Sequence, residues 1–563
     1  MTKALRQLTC LPALLLFLAA ATAGAQSAIG PHGAVATVDR IASQAGIDAM
    51  KAGGNAVDAA VAAALTLGVV NGYNSGIGGG CFILIRRANG QFLCIDGRET
   101  APRSATRDMF VREGKAVAAL SREGTLASGT PGALATYDLA LKSAGKLPLK
   151  THLLAAARVA EEGFQVNKPY AAALSNAASA LVKFPASAAV FLKPGGAPYS
   201  QKEILRQPAL ARTYRAIAEN GPGWFYGGPF AQAVETWMRA NGGLLTAADF
   251  LNYRAVVRQP ISTDYRDCTV VTFPPPSAGG ALLEMLNMLA TRNFADPHFT
   301  PFDRAHFIIE SMKLACADRA AWLADPDFAA VPPSLTRPDY ARARAAKIDL
   351  THAATGVIHG APADAAAAIL PKHTTHVSAA DAEGTWVALT ATLNTHFGSK
   401  VVIPGTGVVM NNEMDDFTAQ PGAGNYYGLG GGEVNAIAPG KRPASSMSPV
   451  ILLKNRRPIA ALGAAGGPAI ISQTLLNIVS MVDLGMDAQT AIDQPKYHDQ
   501  WEPDEVLMEP EFAPGLVLAL TQRGHRLRKV GGLGAAQAVG LAPDGKSLLG
   551  AADRRAGGVA LAW

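Results

Sequence analysis

Thr374-Thr375-His376-Val377-Ser378-Ala379-Ala380-Asp381-Ala382-Glu383-Gly384-Thr385-Trp386-Val387-Ala388-Leu389-Thr390-Ala391-Thr392-Leu393-Asn394 contains two short runs, at 375–381 and 385–393, that read as strands on either side of a turn. A three-residue hairpin loop favours a type I turn followed by Gly in the left-handed conformation. With Ala382, Glu383 and Gly384 as that loop, Asp381 pairs with Thr385, and counting outward sets Thr374 across from Thr392. A threonine hydroxyl is a poor nucleophile by itself, and one remedy is the free α-amine of the same threonine. That amine exists only if the chain is cut between His373 and Thr374. Spacing alone favours a plainer reading, a Thr-rich strand pair with ordinary cross-strand contacts.

Just upstream, residues 351–373 become alanine-rich and low in complexity, with Pro362 and Pro371. Such a stretch reads as a weakly packed connector, free to move away after a cut. Further upstream, residues 42–51 and 56–70 read as helices separated by Gly53-Gly54. The glycine-rich residues 76–80 lead into a strand at 81–87, the reverse of the strand-to-helix order of a dinucleotide loop, so close backbone packing is expected there. Residues 153–162, 230–241 and 302–324 read as helices. Downstream, strands are expected at 401–403, 450–453, 459–462 and 548–551, and helices at 470–484 and 514–523. Strands and helices in both halves indicate a layered α/β architecture.

The 563 residues, 49% hydrophobic and 17% charged, are enough for a large core, and length alone suggests several domains. Lys3 and Arg6, an apolar stretch at 11–20 and Ala23-Gly24-Ala25 read as a cleavable export signal over residues 1–25. That stretch is too short to span a membrane. Without Lys3 and Arg6 the formal charge falls from +6 to +4, and the basic residues are scattered. No Lys/Arg cluster interleaved with aromatics points to nucleic acid. Export permits disulfides. However, a two-residue Asn89-Gly90 turn pairs Cys81 with Arg98 and Cys94 with Ile85, placing the two cysteines on one face but two pairs apart. That is too far to bond, so free, buried cysteines are expected.

Several longer motifs occur in order: Ser75-Gly76-Ile77-Gly78-Gly79-Gly80, Asp96-Gly97-Arg98-Glu99-Thr100-Ala101-Pro102, Ala127-Ser128-Gly129-Thr130-Pro131-Gly132 and Pro274-Pro275-Pro276-Ser277-Ala278-Gly279-Gly280. After the hairpin come Asn394-Thr395-His396-Phe397-Gly398, Asn411-Asn412-Glu413-Met414-Asp415-Asp416-Phe417, Lys441-Arg442-Pro443-Ala444-Ser445-Ser446-Met447-Ser448-Pro449 and Gly466-Gly467-Pro468. From about residue 30 onward the chain closely resembles the γ-glutamyltransferases, self-cleaving N-terminal-nucleophile hydrolases. The resemblance implies a four-layer αββα sandwich shared by two pieces of one precursor. These are a large subunit of residues 26–373 and a small one of residues 374–563, associated as a heterodimer. It also implies transfer of a γ-glutamyl group from glutathione or another γ-glutamyl compound to water or to an amino-acid or peptide acceptor. No cofactor is implied, and the export signal adds a periplasmic or secreted location.

The same resemblance assigns roles. His373 and Thr374 flank the cleavage point, Thr374 is the nucleophile and Thr392 holds it in register. The N–H groups of Gly466 and Gly467 are oxyanion donors. Arg98 offers a bidentate fork to an α-carboxylate, also contacted by Ser445 and Ser446. Asn394, Glu413 and Asp416 receive the α-ammonium, whereas Asp415 reads as structural. Residues 421–432, with six glycines, resemble a lid, and Tyr427 stands at its covering tyrosine. Residues 411–416 lack the ligand spacing of a calcium loop, and His373 and His376 point to opposite faces of a strand, against a metal pair. Lys400 departs from the usual pattern, where glycine is common. Two rival readings are a cephalosporin acylase of the same fold and an exported non-catalytic protein that binds amino acids or peptides.

Overall fold

A computed structural model describes residues 28–362, 374–420, 426 and 433–563. The expected export signal, His373, Tyr427 and nearly all of the proposed lid lie outside these residues. Two seven-stranded antiparallel sheets form the frame. Their strands are β1 (Ala28–Gly30), β2 (Gly33–Thr37), β3 (Gly80–Arg86), β4 (Phe92–Gly97), β5 (Val256–Arg258), β6 (Ile261–Tyr265), β7 (Cys268–Thr272), β8 (Thr375–Asp381), β9 (Trp386–Thr392), β10 (Val450–Lys454), β11 (Arg457–Ala465), β12 (Ala535–Leu541), β13 (Leu548–Ala552) and β14 (Val559–Ala562). One sheet runs β14-β2-β8-β9-β3-β4-β5, the other β1-β13-β12-β11-β10-β7-β6. Each therefore draws strands from both sides of Thr374.

Alternation along the strands produces three cores. Ala380, Trp386 and Ala388 of the first sheet meet Ile451, Ala461 and Val539 of the second, closing the space between them. The opposite parity, with Val377, Val387 and Leu389, faces outward against helices α1 (Arg40–Lys51) and α2 (Ala56–Val70). On the far side of the second sheet, Leu452, Leu462 and Ala538 pack on α3 (Gly279–Leu289), α4 (Pro301–Trp322) and α5 (Ala469–Val482). The result is the expected αββα sandwich. All fifteen residues of α2 are buried, and its start is fixed by a capping box between Asn55 and Asp58, a device worth about 1 kcal/mol. Among the described residues no helix is long and apolar enough to cross a membrane.

Two expectations need correction. The β3–β4 turn spans three residues: Arg87 N donates to Gln91 O and Gly90 takes φ +89°. Cys81 therefore faces Gly97, and Cys94 faces Leu84, one step away from the expected register. The two cysteines then lie on opposite faces of the sheet, one in each adjoining core. Cys81, Cys94 and Cys268 are free and buried, and Cys316 is buried as well. Residues 401–403 form only an isolated bridge, Val402 with Val409, because this stretch lies in a loop outside both sheets.

Candidate active site

The β8–β9 hairpin has the register that its turn residues demand. Pairs run from Thr375 opposite Ala391 to Ala380 opposite Trp386. Asp381 N donates to Thr385 O, and Gly384 closes the turn at φ +94°. One step beyond the last pair, Thr374 stands opposite Thr392, both with the parity that faces the second sheet. Thr374 is only 3% exposed, and its Oγ has no hydrogen-bond partner among the described residues. Thr392 Oγ accepts from Asn394 N at 2.8 Å. Asn394 has φ +71°, a conformation that Asn adopts more readily than most residues. The glycine run packs as its composition suggests: Gly79 abuts the Thr392 carbonyl and Gly78 that of Val409, leaving no room for a Cβ.

Arg98 follows β4 into the interior and is 1% exposed. Its guanidinium donates through Nε to Pro443 O (3.0 Å), through Nη2 to Ala444 O (2.8 Å) and Asp416 Oδ2, and through Nη1 to Glu413 Oε1. Four of its five N–H groups are thus engaged. The fork expected for a ligand carboxylate is held by two protein acids, and Glu99 Oε2 is 3.7 Å from Nη1. Burial alone would lower the Arg98 pKa, but Glu413, Asp416 and Glu99 overcome it and raise the value. Burial raises the carboxyl pKa of Asp416 and Glu413 despite Arg98, and burial and Glu413 together push Glu99 well up. One guanidinium cannot keep three crowded acids ionised.

The remaining atoms of this cluster are acceptors without partners. Glu413 Oε2, Asp416 Oδ1, Asn394 Oδ1 and both carboxyl oxygens of Glu99 are buried and unbonded among the described residues. Asn394 Nδ2 donates to Asn412 O at 3.0 Å, which ties its amide to the residue preceding Glu413. Buried acceptors left open are costly and call for a ligand or water. A surplus of open oxygens suits the N–H bonds of an ammonium.

Ser445 and Ser446 follow the carbonyls that hold Arg98. Ser445 N donates to Pro276 O at 2.7 Å, and Ser445 Oγ accepts from Met447 N. Ser446 Oγ accepts from Arg319 Nη2 at 2.7 Å. The sequence reading missed Arg319, which lies in the last turn of α4 without a local motif. Gly466 and Gly467, at φ +125° and +67°, link β11 to α5. A Cβ on Gly466 would lie 2.6 Å from Leu533 O. Their N–H groups stand at the start of α5, where the helix dipole favours negative charge. Among the described residues, no hydrogen bond joins either glycine to the acid cluster.

Asp415 has a separate set of partners: it accepts from Ser121 Oγ at 2.5 Å and Tyr426 N at 3.2 Å, outside the acid cluster. Lys400 donates to Gly398 O and Thr395 Oγ, and burial pulls its pKa down to about 8. Far from these groups, His306, Glu310 and His525 place ligand atoms within 4.8 Å of one another. There Lys313 Nζ lies 3.2 Å from Glu310 and fills the role of the cation.

The chain is 41% identical over 532 residues to the glutathione hydrolase proenzyme of Escherichia coli (strain K12), covering 93% of this chain and 90% of that one. It is 38% identical over 552 residues to the Acylase ACY 1 proenzyme of Pseudomonas sp. (strain SE83), covering 95% and 94%. Among solved structures, cephalosporin acylase from Bacillus halodurans superposes with a TM-score of 0.86 at 31% identity, covering 96% of this chain and 98% of that one. The profile of the family described as Gamma-glutamyltranspeptidase matches residues 42–563, and the chain belongs to that family.

Proposed function

We propose that this protein is a γ-glutamyltransferase and glutathione hydrolase that matures by cutting itself between His373 and Thr374. In the precursor, Thr374 Oγ attacks the His373 carbonyl and displaces the Thr374 nitrogen, giving an ester. Water hydrolyses the ester, leaving a carboxylate on His373 and a free α-amine on Thr374. That amine has an ordinary pKa of roughly 7.7–8.0, against about 10.4 for lysine, so near neutral pH it accepts a proton.

In the mature enzyme the amine takes the Thr374 hydroxyl proton as Oγ attacks the γ-carbonyl of the donor. The N–H groups of Gly466 and Gly467 receive the developing oxyanion. Collapse expels the amine of cysteinylglycine, which leaves with the proton. Water or the amine of an amino acid or short peptide then cleaves the γ-glutamyl ester and restores Thr374, a double displacement. The scheme calls on no metal or organic cofactor.

The observation that carries this reading is the buried Arg98–Glu413–Asp416 cluster, with Asn394 beside it. Open acceptors there match an α-ammonium. The α-carboxylate is received on Arg98, in exchange for its protein acids, and by Ser445 and Ser446. Tyr427 covers the bound group. A donor without an amino-acid head leaves these polar groups unpaired, which enzymes discriminate against strongly. The acylase relatives support a second reading, in which a glutaryl group is the preferred donor. Turnover of γ-glutamyl-p-nitroanilide against glutaryl-p-nitroanilide separates the two, and preference for glutaryl overturns the first.

The two pieces, residues 26–373 and 374–563, remain together as a heterodimer because each contributes strands to both sheets. Export by the leader at residues 1–25 places the enzyme in the periplasm or outside the cell. A non-catalytic amino-acid or peptide binder would stay as one uncut chain, and its behaviour would not change on Thr374→Ala.

A further inference from the structure

Arg319 is an anomaly of charge. It is buried, yet it has no carboxylate partner among the described residues, whereas the buried Arg98, Arg344 and Arg442 each have one. Its Nε is unbonded, and its one hydrogen bond among the described residues goes from Nη2 to Ser446 Oγ at 2.7 Å. Glu284, which lines the same cavity of about 230 Å³, is turned toward Asp318. Burial, the first cause, brings the Arg319 pKa down to about 10, leaving it a cation at neutral pH. A guanidinium kept charged and unpaired in the interior is expensive unless its charge is used.

The bond to Ser446 suggests that use. Guanidinium only donates, so Ser446 Oγ must accept, and the serine's own proton is left to point elsewhere. Ser446 follows Ala444 and Ser445, and the Ala444 carbonyl holds Arg98. Arg98, meanwhile, has a single uncommitted N–H until an incoming carboxylate displaces its protein acids.

We infer that Arg319 is a positioning residue for donor recognition: it fixes the Ser446 hydroxyl as a proton donor to the donor's α-carboxylate and supplies a second positive charge behind it. This rests on the γ-glutamyl reading above and deepens it by assigning selectivity for the α-carboxylate to a residue that does not touch the donor.

The test compares γ-glutamyl-p-nitroanilide with 4-aminobutyryl-p-nitroanilide, which has no α-carboxylate, in wild type, Arg319→Met, Arg319→Lys, Ser446→Ala and the Arg319→Met/Ser446→Ala pair. Arg319→Met is expected to raise KM for the γ-glutamyl substrate at least tenfold with kcat within about threefold, while leaving 4-aminobutyryl turnover nearly unchanged. Arg319→Lys should restore part of the loss, and the double variant should be no worse than the more impaired single one, because both act through one contact. Equal loss on both substrates, or an unchanged KM, overturns the inference. If Arg319→Met fails to mature, the Lys variant and its combination with Ser446→Ala carry the same comparison: Lys is expected to raise KM for the γ-glutamyl substrate alone, and additive losses overturn the inference. A wild type with no preference for the α-carboxylate overturns the function itself, a distinguishable result.

Discussion

Gly79 lies against the main-chain carbonyl of Thr392, with no space for a methyl group between them. The glycine is therefore required by proximity. It has an ordinary φ, and the obstacle to a larger residue is the backbone of β9 directly opposite the Thr374 end of β8. Gly79→Ala must push that backbone aside, which costs about 1–3 kcal/mol in a packed interior, and it displaces Thr392 from its place across from Thr374. We expect a lower melting temperature and accumulation of uncut chain on denaturing gels. A variant that matures and melts like wild type would show that Thr392 tolerates displacement.

Thr374→Ala removes the hydroxyl proposed to attack the His373 carbonyl. The protein should then persist as a single chain, whereas the wild type should give a piece starting at Thr374 with 190 residues. Intact mass and N-terminal sequencing read the difference directly. Cleavage of Thr374→Ala at the same bond and rate would remove Thr374 from the mechanism.

What could be read in advance follows from how local each determinant is. The hairpin register was legible because Asp381 to Thr385 encloses its own turn and the strand parity does the rest. The acid cluster was legible only through long ordered motifs, since Arg98 and Glu413 are 315 residues apart in sequence. Composition carries no trace of that meeting. Asn89-Gly90 misled because the dipeptide also fits a three-residue loop with Gly90 in the left-handed position, which shifts β4 by one step and turns Cys94 to the other face. Arg319 gave no signal at all. Its lack of an ion-pair partner among the described residues is a property of tertiary packing that no local pattern encodes.

Asp416→Asn keeps the shape of the side chain and an oxygen for Arg98, but removes the carboxyl group proposed to hold the donor's ammonium. A charge-assisted hydrogen bond contributes about 1.5–3 kcal/mol, or roughly 10–100-fold in kcat/KM. The loss should fall on γ-glutamyl-p-nitroanilide and spare glutaryl-p-nitroanilide, which has no ammonium to lose. The same comparison for Glu413→Gln should point the same way. Parallel losses on both substrates would mean that the acids serve only to hold Arg98.

His376 makes the sandwich sensitive to acid. Its ring is buried between the sheets, with Thr390 Oγ at 2.9 Å and Ser378 Oγ at 3.1 Å, and sits under Gly463, where a Cβ would strike it. Burial lowers its pKa from 6.5 to about 3. A histidine held neutral in the fold but free to protonate when unfolded contributes full stability above about pH 6.5. That contribution is lost as the pH falls toward 3, because the unfolded chain then binds the extra proton. At pH 5 the difference is about 2 kcal/mol for one such group. His306 and His525 titrate in the same sense, so the informative quantity is the difference between wild type and His376→Gln. The variant should melt lower at pH 7 yet lose less on going to pH 5. Melting curves that stay parallel across that range would show that His376 does not carry the acid sensitivity.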